Sequence, residues 1–204
     1  METVTRLLLI RHGINDYVES NRLAGWLPGV HLNQRGREQV AALGRRLADA
    51  PITAIYSSPL ERTMETAEAV RGERSLVISA LEEIGEGKCG DWTGLHIDEK
   101  LRSSALWREM EIHPSTARYP GGESLVEMQM RMVMAIETIR RNHVGETIAV
   151  VSHADPLRSA IAHYLGLHLD MFQRMQIQPA SISEIEFNGA RHQVVRVNDV
   201  AHYA

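Results

Sequence analysis

Short β-branched runs alternate with amphipathic stretches along this chain. Residues 6–10 predict a strand buried on both faces. Leu32, Val40, Leu43 and Leu47 recur at helical spacing and predict a helix over 34–48, with Asn33 as its N-cap. Residues 53–56 predict a second strand. The tetrad Ser58-Pro59-Leu60-Glu61 follows it and has the form of a capping box with proline at the first helical position, so a helix is expected to start there. A short strand is expected at 76–78.

Residues 82–94 carry four glycines and predict a loop. Leu125, Met128, Met132, Ala135, Ile136 and Ile139 form the core stripe of a long helix, which leaves Met130 and Met134 to face a neighbour or a dimer partner. A strand at 147–151 precedes Asp155-Pro156, expected to open a helix by the same cap-then-proline logic. Residues 181–187 and 192–197, joined around Asn188-Gly189, predict a closing hairpin. Strands alternating with helices predict a three-layer α/β/α sandwich with a mostly parallel central sheet and an antiparallel edge.

Composition narrows the function classes. At 204 residues the chain is long enough for one domain whose core needs no disulfide or structural metal. A net charge of −4 argues against a nucleic-acid partner. No stretch approaches the roughly 18 apolar residues of a membrane span, and the start lacks the apolar run of a signal peptide. The single cysteine, Cys89, has no partner for a bridge, so a cytoplasmic protein is expected, as monomer or homodimer. Of 22 basic residues 20 are arginine, Lys88 and Lys100 being the two lysines. Neither lysine stands where a Walker-type phosphate loop or a Schiff base would need it. Base-composition bias accounts for most of the arginine excess; bidentate binding of an oxyanion is the functional alternative.

In sheets of this kind ligands bind beyond the carboxyl ends of the strands. The first predicted strand ends in Arg11-His12-Gly13, the second in Ser57-Ser58 with Arg62 one turn into the next helix, and a third in Ser152-His153. Two arginines and two histidines thus reach one rim, beside two helix N-termini suited to an anion. Arg62 among Glu61, Glu65 and Glu68 could be an ordinary ion-paired helix face, and His153 alone an ordinary buried histidine. Their joint placement makes a poor core and a good phosphate pocket.

The residues Leu9-Ile10-Arg11-His12-Gly13, Ser57-Ser58-Pro59-Leu60-x-Arg62-Thr63-x-x-Thr66-Ala67 and Ser152-His153 resemble the histidine phosphatase (phosphoglycerate mutase-like) superfamily. Gly25-Trp26 with Leu32-Asn33-x-x-Gly36 resembles that family's loop before its first helix, and Pro120-Gly121-Gly122-Glu123-Ser124 the turn before its long helix. The resemblance implies a single domain over 1–204, with 82–124 inserted as a loop and helical segment over the active site. It also implies a catalytic set of His12, Glu86, His153, Arg11 and Arg62. Phosphate and substrate contacts would come from Arg11, Asn15, Arg62, His153, Ala154 and Trp26. The family's acid pattern, Glu-x-x-x-Gly-x-Trp-x-Gly, fits Glu86, Gly90, Trp92 and Gly94; counted from Glu83 it puts Cys89 where the tryptophan belongs. Where the family often has Ser or Thr and then Asn, this chain has Asn15 and Val18, so Val18 removes one polar contact.

The implied reaction is hydrolysis of a small phosphorylated metabolite. His12 would be the nucleophile, Glu86 the acid and then the base, and no metal or other cofactor would be needed. Ten histidines might suggest a metallohydrolase, yet there is no His-Glu-x-x-His, and Asp155 beside His153 reads better as a helix cap than as a ligand. A cofactor-dependent phosphoglycerate mutase is the first alternative. It would need a second cationic pocket, for which Lys100, Arg102, Arg108 and Arg118 are the candidates. A catalytically silent phosphate-binding or interaction protein is the remoter one. Tyr17, Trp26, Trp107, Arg118 and Tyr119 could line the entry; ordinary packing is the better reading of Trp107.

Overall fold

The computed structural model describes residues 4–203. Six strands form one sheet in the order β3-β2-β4-β1-β5-β6. They are β1 (Val4–Arg11), β2 (Ile52–Ser57), β3 (Ile78–Ala80), β4 (Thr147–Ser152), β5 (Ile182–Asn188) and β6 (Arg191–Asp199). The pairs β1–β4, β4–β2 and β2–β3 are parallel, while β5 runs antiparallel to β1 and to β6. The expected mostly parallel sheet with an antiparallel edge is what forms.

Side-chain alternation assigns the layers. Leu7 and Leu9 of β1 and Ile148 and Val150 of β4 pack with α6 (Leu125–Asn142) and α7 (Ala154–Tyr164). Leu8, Ile10, Ala149 and Val151 face the other way, onto α2 (Gln34–Arg46) and α3 (Glu61–Arg71). Asn33 caps α2 as expected, its side chain accepting from the Gly36 N–H. Met128 and Met132 are buried on α6, whereas Met130 and Met134 are exposed.

A third cluster closes over one end of the sheet. It joins Cys89, Trp92, Met110 and Tyr119 to Leu125 and Met128 of α6 and to Ala162 and Phe172. These residues belong partly to the segment between β3 and α6, which holds two 3-10 turns (Glu82–Ile84 and Gly90–Trp92) and the short helices α4 (Glu99–Arg102) and α5 (Ala105–Ile112). A further short helix, α1 (Asp16–Glu19), follows β1. Gly90 has φ +54°, and a Cβ there would lie 2.0 Å from the Pro120 carbonyl oxygen, so only glycine lets the two turns meet.

Two helix starts differ from expectation. Ser58 does not cap α3: that helix begins at Glu61, its N-cap is Leu60, and no side chain bonds the cap. The tetrad is instead an extended turn in which Ser58 Oγ is taken by His153 and Glu61 accepts the Gly29 N–H. Asp155 does not cap α7 either. It is already the second helical residue, bonded to Arg158, and the N-cap is His153. Pro156 is tolerated because the first-turn N–H groups have no intrahelical acceptor.

Candidate active site

Strands β2, β4 and β1 are neighbours, so Ser57-Ser58, Ser152-His153 and Arg11-His12-Gly13 emerge side by side. His12 is buried, and its Nδ1 lies 2.7 Å from the Gly13 carbonyl oxygen. A carbonyl only accepts, so Nδ1 carries the proton and Nε2 keeps its lone pair. Burial holds this ring well below the ordinary imidazole pKa, and the Arg62 and Arg11 guanidinium groups push the same way against the Gly13 bond. His12 is therefore a neutral ring with a free nitrogen at physiological pH.

The two arginines are each tied by one backbone bond. Arg11 Nη1 donates to the Ile177 carbonyl at 2.7 Å, and Arg62 Nη2 to the Gly25 carbonyl at 2.8 Å. Arg11 Nε and Arg62 Nη1 are buried without a hydrogen-bond partner among the described residues. Burial lowers the pKa of both, Arg11 to about 10, which leaves them cationic. Asn15 adds a third donor. Its Oδ1 accepts the Val18 N–H at 2.9 Å as the N-cap of α1, and its buried Nδ2 has no partner among the described residues.

His153 is fully buried, with Nε2 2.9 Å from Ser58 Oγ and Nδ1 3.6 Å from Glu86 Oε2. Its ring meets that of His12 edge to face, the centroids 5.2 Å apart. Burial first, then Arg62, His12 and Arg11, keep it well below the ordinary imidazole pKa. Glu86 keeps 22% of its side chain accessible, and Oε1 accepts the Gly87 N–H at 2.9 Å. Burial raises its pKa, with Arg62 opposing and Asp155 adding. A neutral histidine thus faces a carboxyl biased toward holding its proton.

Arg11, His12, Asn15, Arg62, Glu86 and Ala154 line a cavity of about 140 Å3. Val18 supplies an apolar stretch of its wall, and Arg22, Cys89, Tyr119 and Asp155 also line it. Burial pushes the Cys89 thiol upward in pKa, so it offers no competing thiolate. Of the three loop glutamates, Glu86 lines this cavity, Glu83 lines a separate groove beside Arg131 and Met134, and Glu82 is exposed. Trp26 is not among the residues lining this cavity; its indole N–H donates to the Glu86 carbonyl at 2.6 Å.

The remaining entry candidates divide. Tyr119 lines the cavity; Tyr17 lies under the Arg22 guanidinium, 4.9 Å from ring centroid to Cζ. Trp107 packs on Trp92, and Arg118 is spent on Glu127 and the Gly122 carbonyl. Arg102 and Arg108 do not line the cavity, and the side chain of Lys100 lies outside the described residues. One nitrogen each of His12 and His153 and one Glu86 oxygen lie within 4.8 Å of one another, the geometry of a possible three-ligand metal set. Arg11 and Arg62 beside them make that spot cationic, which favours an anion over a divalent ion.

Arg22 and Arg131 have no role in the sequence reading, and Ser58 and Glu123 enter it only within motifs, Ser58 as a cap. Arg131 did carry a signal: it lies three residues after Met128 and four before Ala135, so it is a charge on the buried stripe of α6.

The profile of the histidine phosphatase superfamily (branch 1) matches residues 7–200. Phosphoserine phosphatase 1 of Hydrogenobacter thermophilus is 30% identical over 200 residues, covering 98% of this chain and 94% of that protein. A protein named probable phosphoglycerate mutase GpmB, from Photorhabdus laumondii, is 27% identical over 183 residues, 89% of this chain and 85% of its own. The solved structure of Bacillus stearothermophilus YhfR superposes with a TM-score of 0.91 at 32% identity, covering 97% of this chain and 98% of that one.

Proposed function

The chain belongs to the histidine phosphatase superfamily, and on that premise we propose that it hydrolyses a small phosphomonoester through a phosphohistidine on His12. The observation that carries this reading is the neutral His12 ring ringed by partnerless buried groups of Arg11, Asn15 and Arg62. Phosphoryl transfer asks for an in-line nucleophile, fixed positive charge around the equatorial oxygens, and a proton for the leaving alkoxide.

His12 Nε2 attacks phosphorus as the bond to the leaving oxygen breaks. Arg11, Arg62 and Asn15 donate to the phosphoryl oxygens, and with Ser58 Oγ–H donating to Nε2, His153 presents Nδ1–H to the same group. Glu86 hands its proton to the leaving oxygen, then takes one from the water that attacks the phosphohistidine. Phosphate leaves and His12 Nε2 recovers its lone pair. The segment 82–124 serves as the cover of this site, through Glu86, Cys89 and Tyr119. The proposed enzyme works without metal in a reducing cytoplasm, as monomer or homodimer; no helix among the described residues is long and apolar enough to cross a membrane.

Among the described residues Arg22 is the one further cation lining the cavity. Its Nε and Nη2 donate to the Gly94 carbonyl at 3.1 and 2.8 Å, which holds the guanidinium at the rim. This suits a short substrate whose leaving group carries a second anionic group, as phosphoserine does. The mutase is the second reading, favoured by the GpmB likeness. Against it, Arg108 bonds the Ser103 carbonyl and Arg118 is ion-paired, so neither forms a second cationic pocket. A panel of phosphomonoesters assayed for phosphate release, with wild type and His12→Ala, tests the proposal. Interconversion of 3- and 2-phosphoglycerate without net phosphate release would favour the mutase instead.

A further inference from the structure

Arg131 uses all five of its N–H donors, the most a guanidinium has. Nε donates to Glu123 Oε2 at 2.9 Å, and Nη2 to Glu123 Oε1 at 2.6 Å and to the Glu86 carbonyl at 2.8 Å. Nη1 donates to the carbonyls of Glu83 and Gly85 at 2.9 and 2.8 Å. Glu123 completes the arrangement from its side: Oε1 accepts the Lys88 N–H at 2.8 Å, and its own N–H donates to the Lys88 carbonyl at 3.0 Å. Both side chains are largely buried, at 17% and 9% accessible. Neither lines the cavity that holds His12.

An ion pair that merely tied α6 to the fold would meet side chains of neighbouring elements. This one meets the main chain immediately before and after Glu86, at residues 83, 85, 86 and 88. Those carbonyls belong to a turn and a loop, so they need donors from elsewhere. The Glu86 carbonyl has one other donor, the Trp26 indole. The carboxyl of Glu86 therefore sits on a backbone whose position is dictated by Arg131, through Glu123.

We propose that Arg131 and Glu123 are positioning residues that hold the Glu86 carboxyl at the leaving oxygen. The inference rests on the reading of Glu86 as the acid. A misplacement of about 1 Å can cost on the order of 10²-fold in rate, and in kcat/KM, which reports the steps up to phosphohistidine formation, the loss falls on the proton given to the leaving oxygen. It is therefore large for an alkyl leaving group, which needs the proton, and small for p-nitrophenolate, which leaves without one. Lysine at 131 keeps the charge beside Glu123 but offers three donors in place of a planar five.

The test compares kcat/KM on phosphoserine and on p-nitrophenyl phosphate for wild type, Arg131→Lys, Arg131→Met, Glu86→Gln and the Glu86→Gln/Arg131→Met pair, with His12→Ala as control. Arg131→Met is expected to lose about 10²-fold on phosphoserine and less than about 10-fold on the nitrophenyl ester. Arg131→Lys should show the same split in smaller measure, and it carries the test if Arg131→Met fails to fold. In the Glu86→Gln background Arg131→Met should add nothing on phosphoserine. Equal losses on both substrates, or multiplicative losses in the paired variant, overturn the inference. Phosphate release surviving in His12→Ala would instead overturn the proposed function.

Discussion

The Val18 N–H donates to Asn15 Oδ1 at 2.9 Å, and this local bond decides which end of the Asn15 amide faces the cavity. A backbone N–H cannot accept, so Oδ1 is committed and Nδ2 is left as the buried donor. The same residue caps α1 and serves the anion. Asn15→Asp separates the two, because aspartate caps as well as asparagine but places a second acceptor where the donor was. The melting temperature should change little while kcat/KM on any phosphomonoester falls by at least about 10-fold, the worth of one hydrogen bond to a charged group. A fall in stability without a fall in kcat/KM would mean that Asn15 only caps.

Glu86 must hold a proton to serve the leaving group, and its burial favours the protonated form. Removing a positioned acid costs about 10²–10⁴-fold where the leaving group needs it. Glu86→Gln should therefore lose that much in kcat/KM on alkyl phosphates and far less on p-nitrophenyl phosphate. The sign with pH follows: as pH rises through the raised pKa, Glu86 ionises and kcat/KM on an alkyl phosphate declines. That declining limb should be missing from Glu86→Gln. Equal losses on the two substrate types would assign the acid elsewhere.

Much of this was legible in the sequence because the strand ends carry it. Arg11, His12 and His153 follow apolar runs whose parallel pairing is dictated by burial on both faces, so their convergence needs no side-chain detail. A spacing pattern separates Glu86 from Glu83, and Glu86 lines the cavity while Glu83 lies on another groove. Ser-Pro-x-Glu and Asp-Pro read as caps on local chemistry, but His153, 95 residues away, takes the Ser58 side chain, and α7 starts one residue before Asp155, whose carboxylate pairs with Arg158 one turn along the same helix. Trp26 stands in the expected neighbourhood, where its indole N–H donates to the Glu86 carbonyl. The helical period marks Arg131 as a charge on the buried stripe of α6, but nothing in it points to Glu123, eight residues away, or to the loop carbonyls that Arg131 also holds.

His12 and His153 couple the site to acid stability. Both rings are buried with pKa values well below the ordinary one, mainly by desolvation and then by Arg62. Below about pH 6.5 the unfolded chain takes up protons that these folded rings refuse. Unfolding then binds protons, so stability is fully present above that pH and is lost as pH falls toward the folded-state pKa values. His153→Gln, which keeps a hydrogen-bonding group near Ser58, should flatten the decline in melting temperature between about pH 6.5 and 5. An unchanged slope would show that other groups govern the acid limb.

Arg22 decides between a site that reads only the phosphoryl group and one that also reads the leaving group. Arg11 and Arg62 are assigned to the phosphoryl oxygens, and the other lining residues, among them Val18, Leu23, Tyr119 and the anionic Asp155, supply no further cation beside Arg22. An anionic substituent two or three bonds from the leaving oxygen would reach the rim, where Arg22 is braced by the Gly94 carbonyl and the Tyr17 ring. Arg22→Gln removes the charge and keeps hydrogen-bonding capacity. It should lower the ratio of kcat/KM for phosphoserine over phenyl phosphate by about 10-fold, the lower end of a charged hydrogen bond's worth because the side chain is exposed. An unchanged ratio would mean that the second anion is not read at Arg22, and the substrate class would then have to be sought among uncharged leaving groups.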